Sequence, residues 1–211
     1  MLKINEIFYS IQGESSYSGL PCVFVRLTYC NLRCSYCDSE YSFHDGNNMT
    51  IKEIIEKVES YNCPLVEVTG GEPLLQKEAI TLMQELLKNK YQVMLETGGS
   101  LPVDKVPNEV IKIVDFKCPT SNMSMKNDWT ILPNLNELDE IKFVIGNRED
   151  YNWVKDKLEE YNLYDKKILF SPVYDVLDSK SLAEWILEDK LKVRLQIQLH
   201  KQIWPADTIG V

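Results

Sequence analysis

Histidine is nearly absent: the chain has two, His44 and His200, which excludes a zinc site built mainly on imidazole. Positive charge is also short. Against 32 Asp and Glu stand 23 Lys and Arg, a net charge of -9 that argues against a broad electrostatic footprint on nucleic acid or an anionic membrane. A small-molecule substrate is favoured. No apolar run reaches the roughly 18 residues a membrane span requires. Met1 to Ser10 carries Lys3 and Glu6 where an export signal needs an unbroken apolar stretch. The expected compartment is the cytoplasm, with neither membrane nor nucleic acid as partner. Low-complexity linkers are missing too, so residues 1–211 are expected to form one domain, long enough to bury a core.

Of the six cysteines, three lie within eight residues, Cys30-Asn-Leu-Arg-Cys34-Ser-Tyr-Cys37. In a chain of this size without an export signal, clustered thiols serve metal binding or redox chemistry rather than structural disulfides. Three thiolates can hold three irons of a 4Fe-4S cluster and leave the fourth iron open to a ligand. Two other readings stand beside it: a zinc site with His44 as fourth ligand, and disulfide chemistry at Cys34-Ser-Tyr-Cys37. Cys22, Cys63 and Cys118 sit apart and read as ordinary buried thiols. A second motif, Thr69-Gly70-Gly71-Glu72-Pro73, puts two residues without side chains where a strand ends. Backbone polar groups can approach a ligand closely there, and Glu72 can accept from an ammonium group. Alone, such a Gly-Gly is an ordinary turn.

Periodicity predicts strands over Cys22–Tyr29, Leu65–Thr69, Gln92–Glu96, Ile111–Phe116, Glu140–Ile145, Lys167–Phe170 and Lys192–Leu199. Helices are expected over Thr50–Tyr61, from about Gln76 to Lys88, and over Glu149–Tyr161 and Ser181–Glu188, with Thr50 and Glu53 as a capping box. Pro119 to Pro133 is the one long irregular stretch. Strands alternating with helices imply a parallel sheet, which right-handed crossovers curl toward a full or partial barrel. In such folds chemistry sits at the carboxyl ends of the strands. The unusual residues fall there: the cysteines, Thr69 to Pro73, Glu96 to Gly99, Lys117 to Ser121, Ser171 to Asp175 and Gln198 to Lys201.

A CxxxCxxC loop followed one β/α unit later by GGEP resembles the radical S-adenosylmethionine superfamily. Ser10-Ile-Gln-Gly-Glu14, Pro21, Val23-Phe-Val-Arg26-Leu, Cys37-Asp38-Ser39, Leu95-Glu-Thr-Gly98 and Gln198-Leu-His200-Lys201 narrow the likeness to the 7-carboxy-7-deazaguanine synthases, from Ile7 to the C-terminus. The resemblance implies a partial, incomplete TIM-like β/α barrel with a reduced helix set, and a homodimer. It implies conversion of 6-carboxy-5,6,7,8-tetrahydropterin to 7-carboxy-7-deazaguanine, with ring contraction and loss of ammonia, in queuosine and deazapurine biosynthesis. A 4Fe-4S cluster, S-adenosylmethionine, Mg2+ and an external one-electron reductant of the flavodoxin or ferredoxin kind come with it.

Residue by residue, the likeness makes Cys30, Cys34 and Cys37 the cluster ligands and Ser39, where relatives carry threonine, a magnesium ligand. Tyr36, Asp38, Gly71, Glu72, Asp115, Lys117 and Ser171, Pro172, Val173 and Tyr174 fall to S-adenosylmethionine. Ile11, Gln12, Gly13, Glu14, Arg26, Thr69, His200 and Val211 fall to the pterin, with Arg26 clamping its carboxylate. Asp115-Phe116-Lys117 stands where many relatives have Ser-Pro-Lys. Without the likeness, Gln12 and Glu14 would read as exposed loop residues, Arg26 as half of a buried ion pair and His200 as structural. A glycyl-radical activase shares the cysteine loop, and a non-catalytic zinc module is the alternative from another class.

Overall fold

Leu2–Ile11 forms a ten-residue strand, β1, that periodicity did not single out. A computed structural model describes residues 1–211. β1 pairs antiparallel with β2 (Pro21–Leu27) on one side and with a short β3 (Asn47–Met49) on the other. From β2 onward every pairing is parallel, through β4 (Leu65–Gly70), β5 (Gln92–Thr97), β6 (Ile111–Asp115), β7 (Glu140–Ile145), β8 (Lys167–Pro172) and β9 (Arg194–Leu195). The sheet runs β3-β1-β2-β4-β5-β6-β7-β8-β9 and does not close. The expected partial barrel is therefore correct, and the expected all-parallel sheet is corrected by an antiparallel start.

Helices α1 (Ile51–Glu59), α2 (Glu78–Lys88), α3 (Arg148–Glu160) and α4 (Ser179–Glu188) lie within two or three residues of their predicted places. Thr50 caps α1 as expected, its hydroxyl accepting from Glu53 N while the Glu53 carboxylate accepts from Thr50 N at 2.7 Å. Residues Pro119 to Pro133 wind through three short 3-10 turns. The strand expected over 192–199 shrinks to Arg194–Leu195. His200 opens a four-residue helix, α5 (His200–Ile203), instead of ending a strand.

Strand register makes the two faces of the sheet chemically different. One face carries Val23, Val25, Leu27, Val66, Val68, Val93, Leu95 and Phe143, which share a single hydrophobic core with Ile54, Leu82, Leu86, Val154 and Leu182 of the helices. A buried pair, Lys112 Nζ to Asp139 Oδ2 at 3.2 Å, sits on that side. On the opposite face Arg26 stands level with Thr69 and Asp115 with Lys142, and alternation adds Glu67, Glu96 and Ser171. A row of buried or half-buried polar groups on the inside of an open barrel is costly unless partners or a ligand satisfy it. No helix is long and apolar enough to cross a membrane.

Candidate active site

The loop after β2 carries the cysteines. Its course is set by Tyr29 N donating to Ser42 O at 3.0 Å, Ser35 N to Ser121 O at 3.1 Å and Ser35 Oγ to Thr120 O at 2.6 Å. Tyr36 Oη reaches Val144 O. Cys30, Cys34 and Cys37 are free and half-buried, whereas Cys22, Cys63 and Cys118 are free and fully buried, as expected of bystander thiols. Burial pushes the Cys34 thiol up to about 11 against the pull of the Lys117 ammonium, and burial raises Cys30 too. Cys37 Sγ lies 3.8 Å from Ser39 Oγ, which brings the expected cluster and magnesium donors side by side.

Gly71 passes directly beneath this loop: a Cβ there would lie 2.3 Å from Tyr29 O and 2.7 Å from Cys30 Cβ. Glu72 N donates to Tyr29 O at 2.7 Å, so β4's end and the cysteine loop are one unit. The Glu72 carboxylate is fully buried and already accepts from Gly98 N, Leu74 N and Thr97 Oγ1. Its side chain ties the loops after β4 and β5 together, which leaves ligand reading at this turn to the backbone. Lys117 Nζ meets Asp115 Oδ2 at 2.8 Å. Asp115 Oδ1 and Ser171 Oγ are buried without any partner. Two orphaned acceptors on the inner wall are what a cavity shaped for a polar ligand leaves behind. Pro172 and Val173 are buried beside them and Tyr174 is exposed at the rim.

The loop after β1 turns inward. Ile11 closes the β1–β2 ladder opposite Pro21. Gln12 is 3% exposed, its Nε2 donating to Glu67 at 2.5 Å and its Oε1 accepting from Glu14 N. Gly13 lies against His200: a Cβ would fall 2.1 Å from His200 Nδ1, and Leu199 N donates to Gly13 O at 2.9 Å. Glu14 is ion-paired to Lys142 and accepts from Gln198 Nε2 at 2.8 Å. This loop bridges the opening between the first and last strands. Arg26 Nε meets Glu6 Oε1 at 2.8 Å, Thr69 is buried beside it, and the C-terminus returns so that Gly210 faces Glu6 and half-buried Val211 follows. Lys201 Nζ reaches Asp38 Oδ2 at 2.5 Å and pins α5 over the cysteine loop.

Residues 25–174 match the radical SAM superfamily. Two relatives, each named 7-carboxy-7-deazaguanine synthase, are similar along the entire chain. That of Koribacter versatilis is 45% identical over 100% of both chains, and that of Chlorobaculum tepidum is 47% identical over 100% of this chain and 97% of its own. The chain belongs to the 7-carboxy-7-deazaguanine synthase family. In fold it is similar to the crystal structure of QueE from Escherichia coli, with TM-score 0.78, 23% identity and 94% of each chain covered. It is also similar to Streptococcus suis SuiB bound to S-adenosylmethionine, with TM-score 0.55, 14% identity, 81% of this chain and 45% of that one.

Membership in this synthase family carries a 4Fe-4S cluster and S-adenosylmethionine with it. The donor set fits: three free, half-buried thiols on one loop, beside a backbone turn that admits no side chain and a wall with two unpartnered oxygens. His44, the fourth ligand a zinc site would need, is exposed, and its carbonyl accepts from Lys3 Nζ at 2.9 Å. Neither the activase nor the zinc module is favoured by relatives that are synthases along their full length.

Sequence reasoning missed Lys142, Glu67 and Glu6, and gave Glu96 no role. Lys142 Nζ, 5% exposed, contacts Glu14, Glu96 Oε1 at 2.6 Å and Asp115 Oδ2 at 3.9 Å. The signal was available: Glu-Ile-Lys142-Phe-Val-Ile and Leu-Val-Glu67-Val each bury a charge inside an apolar strand, as Val-Phe-Val-Arg26 does.

Proposed function

We propose that this chain converts 6-carboxy-5,6,7,8-tetrahydropterin to 7-carboxy-7-deazaguanine with ring contraction and loss of ammonia, a carbon-nitrogen lyase of queuosine and 7-deazapurine biosynthesis. The observation that carries this reading is full-length likeness to the synthases, in a chain whose inner sheet face carries Arg26, Thr69 and Glu96 and whose loop after β1 brings Glu14 to Lys142 on that face. A bicyclic pterin with an acidic substituent and a donor-rich pyrimidine edge suits that face: a guanidinium for the carboxylate, carboxylates for N–H groups. Residues 1–211 fold as a single domain.

Cys30, Cys34 and Cys37 hold the 4Fe-4S cluster. The backbone of Gly71 and Glu72, with Tyr36, Asp38, Asp115, Lys117 and Ser171 to Tyr174, seats S-adenosylmethionine, and the free Asp115 Oδ1 and Ser171 Oγ are its polar wall. Ser39 Oγ, beside Cys37, takes Mg2+. When bound, the cluster and S-adenosylmethionine supply a 5'-deoxyadenosyl radical able to take hydrogen from the pterin carbon that bears the carboxylate. Ile11 to Glu14, Thr69, His200 and Val211 enclose the pterin and exclude water, with Gly13 leaving room for the His200 ring. Burial keeps His200 below its ordinary value despite the nearby Glu14, so its imidazole is neutral near pH 7. The active form is a cytoplasmic homodimer reduced by a flavodoxin or ferredoxin.

The test is anaerobic reconstitution with iron and sulfide, reduction, and incubation with S-adenosylmethionine, Mg2+ and 6-carboxytetrahydropterin, followed by mass detection of the deazaguanine. Product that disappears in Cys30→Ala, Cys34→Ala and Cys37→Ala supports the reading. Normal cleavage of S-adenosylmethionine without product directs the search to another substrate.

A further inference from the structure

Lys142 occupies an unusual place for a lysine. Its ammonium is buried in the middle of β7, and three carboxylates from three other segments turn toward it: Glu14 from the loop after β1, Glu96 from β5 and Asp115 from β6. Lys117 neutralises Asp115 from the other side, which leaves Lys142 as the one cation in contact with both Glu14 and Glu96. Glu14 Oε2 accepts from Lys142 and Oε1 from Gln198, so its remaining capacity is the second lone pair of each oxygen. Glu96 Oε1 takes the ammonium while Oε2 makes no hydrogen bond, and the Glu96 side chain stays 27% exposed.

Taken with the function proposed above, on which this rests, we infer that Lys142 is a positioning residue. It holds Glu14 and Glu96 side by side as hydrogen-bond acceptors for the N–H edge of the pterin. Two carboxylates that share one ammonium would repel and take up a proton if it were removed, and a protonated carboxyl presents a donor where the pterin also presents donors. The electrostatics agree. Burial works to raise Glu14, yet the Lys142 charge and hydrogen bond bring it below its ordinary value. Burial raises Glu96, with Lys142 opposing and Glu14 adding to the rise. Glu67 from β4, Asp38 from the cysteine loop and His200 from α5 are the remaining titratable groups that feel or face this cluster.

The experiment compares wild type, Lys142→Met, Lys142→Arg and Glu96→Gln as reconstituted enzymes, measuring kcat and the pterin KM between about pH 6 and 9, with S-adenosylmethionine binding and thermal midpoint alongside. Lys142→Met is expected to raise the pterin KM about tenfold or more near pH 7, the scale of one lost charge-assisted hydrogen bond. Its affinity for S-adenosylmethionine is expected to stay within about twofold. The KM penalty shrinks as pH rises and the freed carboxylates ionise, and Lys142→Arg restores most of the affinity. Should Lys142→Met fail to fold, Glu96→Gln carries the test: it raises the pterin KM and weakens its pH dependence. A wild-type KM in Lys142→Met, or in Glu96→Gln where that variant carries the test, overturns the inference. So does a penalty independent of pH and matched by loss of S-adenosylmethionine binding. Absence of product from wild type instead overturns the proposed reaction.

Discussion

Glu6 and Arg26 face each other across the β1–β2 ladder and are joined by one contact, Arg26 Nε to Glu6 Oε1 at 2.8 Å. Tyr41 Oη donates to the same oxygen at 2.8 Å. The pair fixes the arginine by its inner nitrogen and leaves both terminal nitrogens without a hydrogen-bond partner in the chain, the guanidinium lying 5.8 Å from the Phe8 and Tyr41 ring centroids. Sequence reasoning set a buried ion pair against a substrate clamp as alternatives for Arg26. The geometry accommodates both at once.

Arg26→Ala is accordingly expected to raise the pterin KM by about 10- to 100-fold, the cost of a lost charge-assisted fork, while S-adenosylmethionine binding changes little. Arg26→Lys is expected to recover only part, since an ammonium cannot pair bidentately. Equal weakening of both ligands in a binding titration would sink the clamp.

Glu67 titrates against habit. Burial, with Glu96 nearby, pushes its carboxyl up to about 8 from an ordinary 4.5. Between those values the folded chain keeps a proton that the unfolded chain has released. Stability from this group is therefore full below about 4.5 and falls as pH rises toward 8, by about 1.4 kcal/mol per pH unit. Glu67→Gln keeps an acceptor for Gln12 Nε2 and never ionises, so denaturant unfolding of the variant is expected to lack that part of the slope. Parallel wild-type and variant profiles across the window would show that Glu67 is ionised throughout.

Gly71→Ala drives a methyl into Tyr29 O and Cys30 Cβ. Neither neighbour is a flexible chain end, so the cysteine loop must move. Lower iron retention and weaker S-adenosylmethionine binding are expected with folding retained, read by iron content after desalting and by anaerobic titration. Full iron and normal binding would show that the loop yields without consequence.

Phe143 is fully buried on the helix-side face, between Phe116 and Phe170, with ring centroids 6.2 Å from each. Phe143→Ala is expected to cost about 3–5 kcal/mol through lost burial and the cavity left behind, read as a lower denaturant midpoint at unchanged m-value. A loss under about 1 kcal/mol would mean the core closes over the gap.

Much of the α/β architecture was legible because helices and parallel strands write their burial into local periodicity: Ile54 and Val58 of α1 and Val66 and Val68 of β4 sit where their spacing puts them. β1 escaped because its burial alternates only over its first residues and its middle is half-buried throughout, so no clean period of two emerges. The strand expected over 192–199 shortened because the chain leaves β8 after Gln196 N bonds to Phe170 O, and Leu199 N bonds instead to Gly13 O across the opening.

The sequence by itself determined the cysteine loop, the Gly-Gly turn one unit later and the family to which both belong, since each is a local pattern with its own chemical reason. Tertiary structure alone decided who neutralises whom. Lys142 and Glu14 are 128 residues apart and Glu6 and Tyr41 are 35 apart. Periodicity tells which side chain is buried, but only strand register and the curl of the open sheet decide which opposite charge it meets there. In a water-poor interior that choice governs whether a carboxylate stays charged.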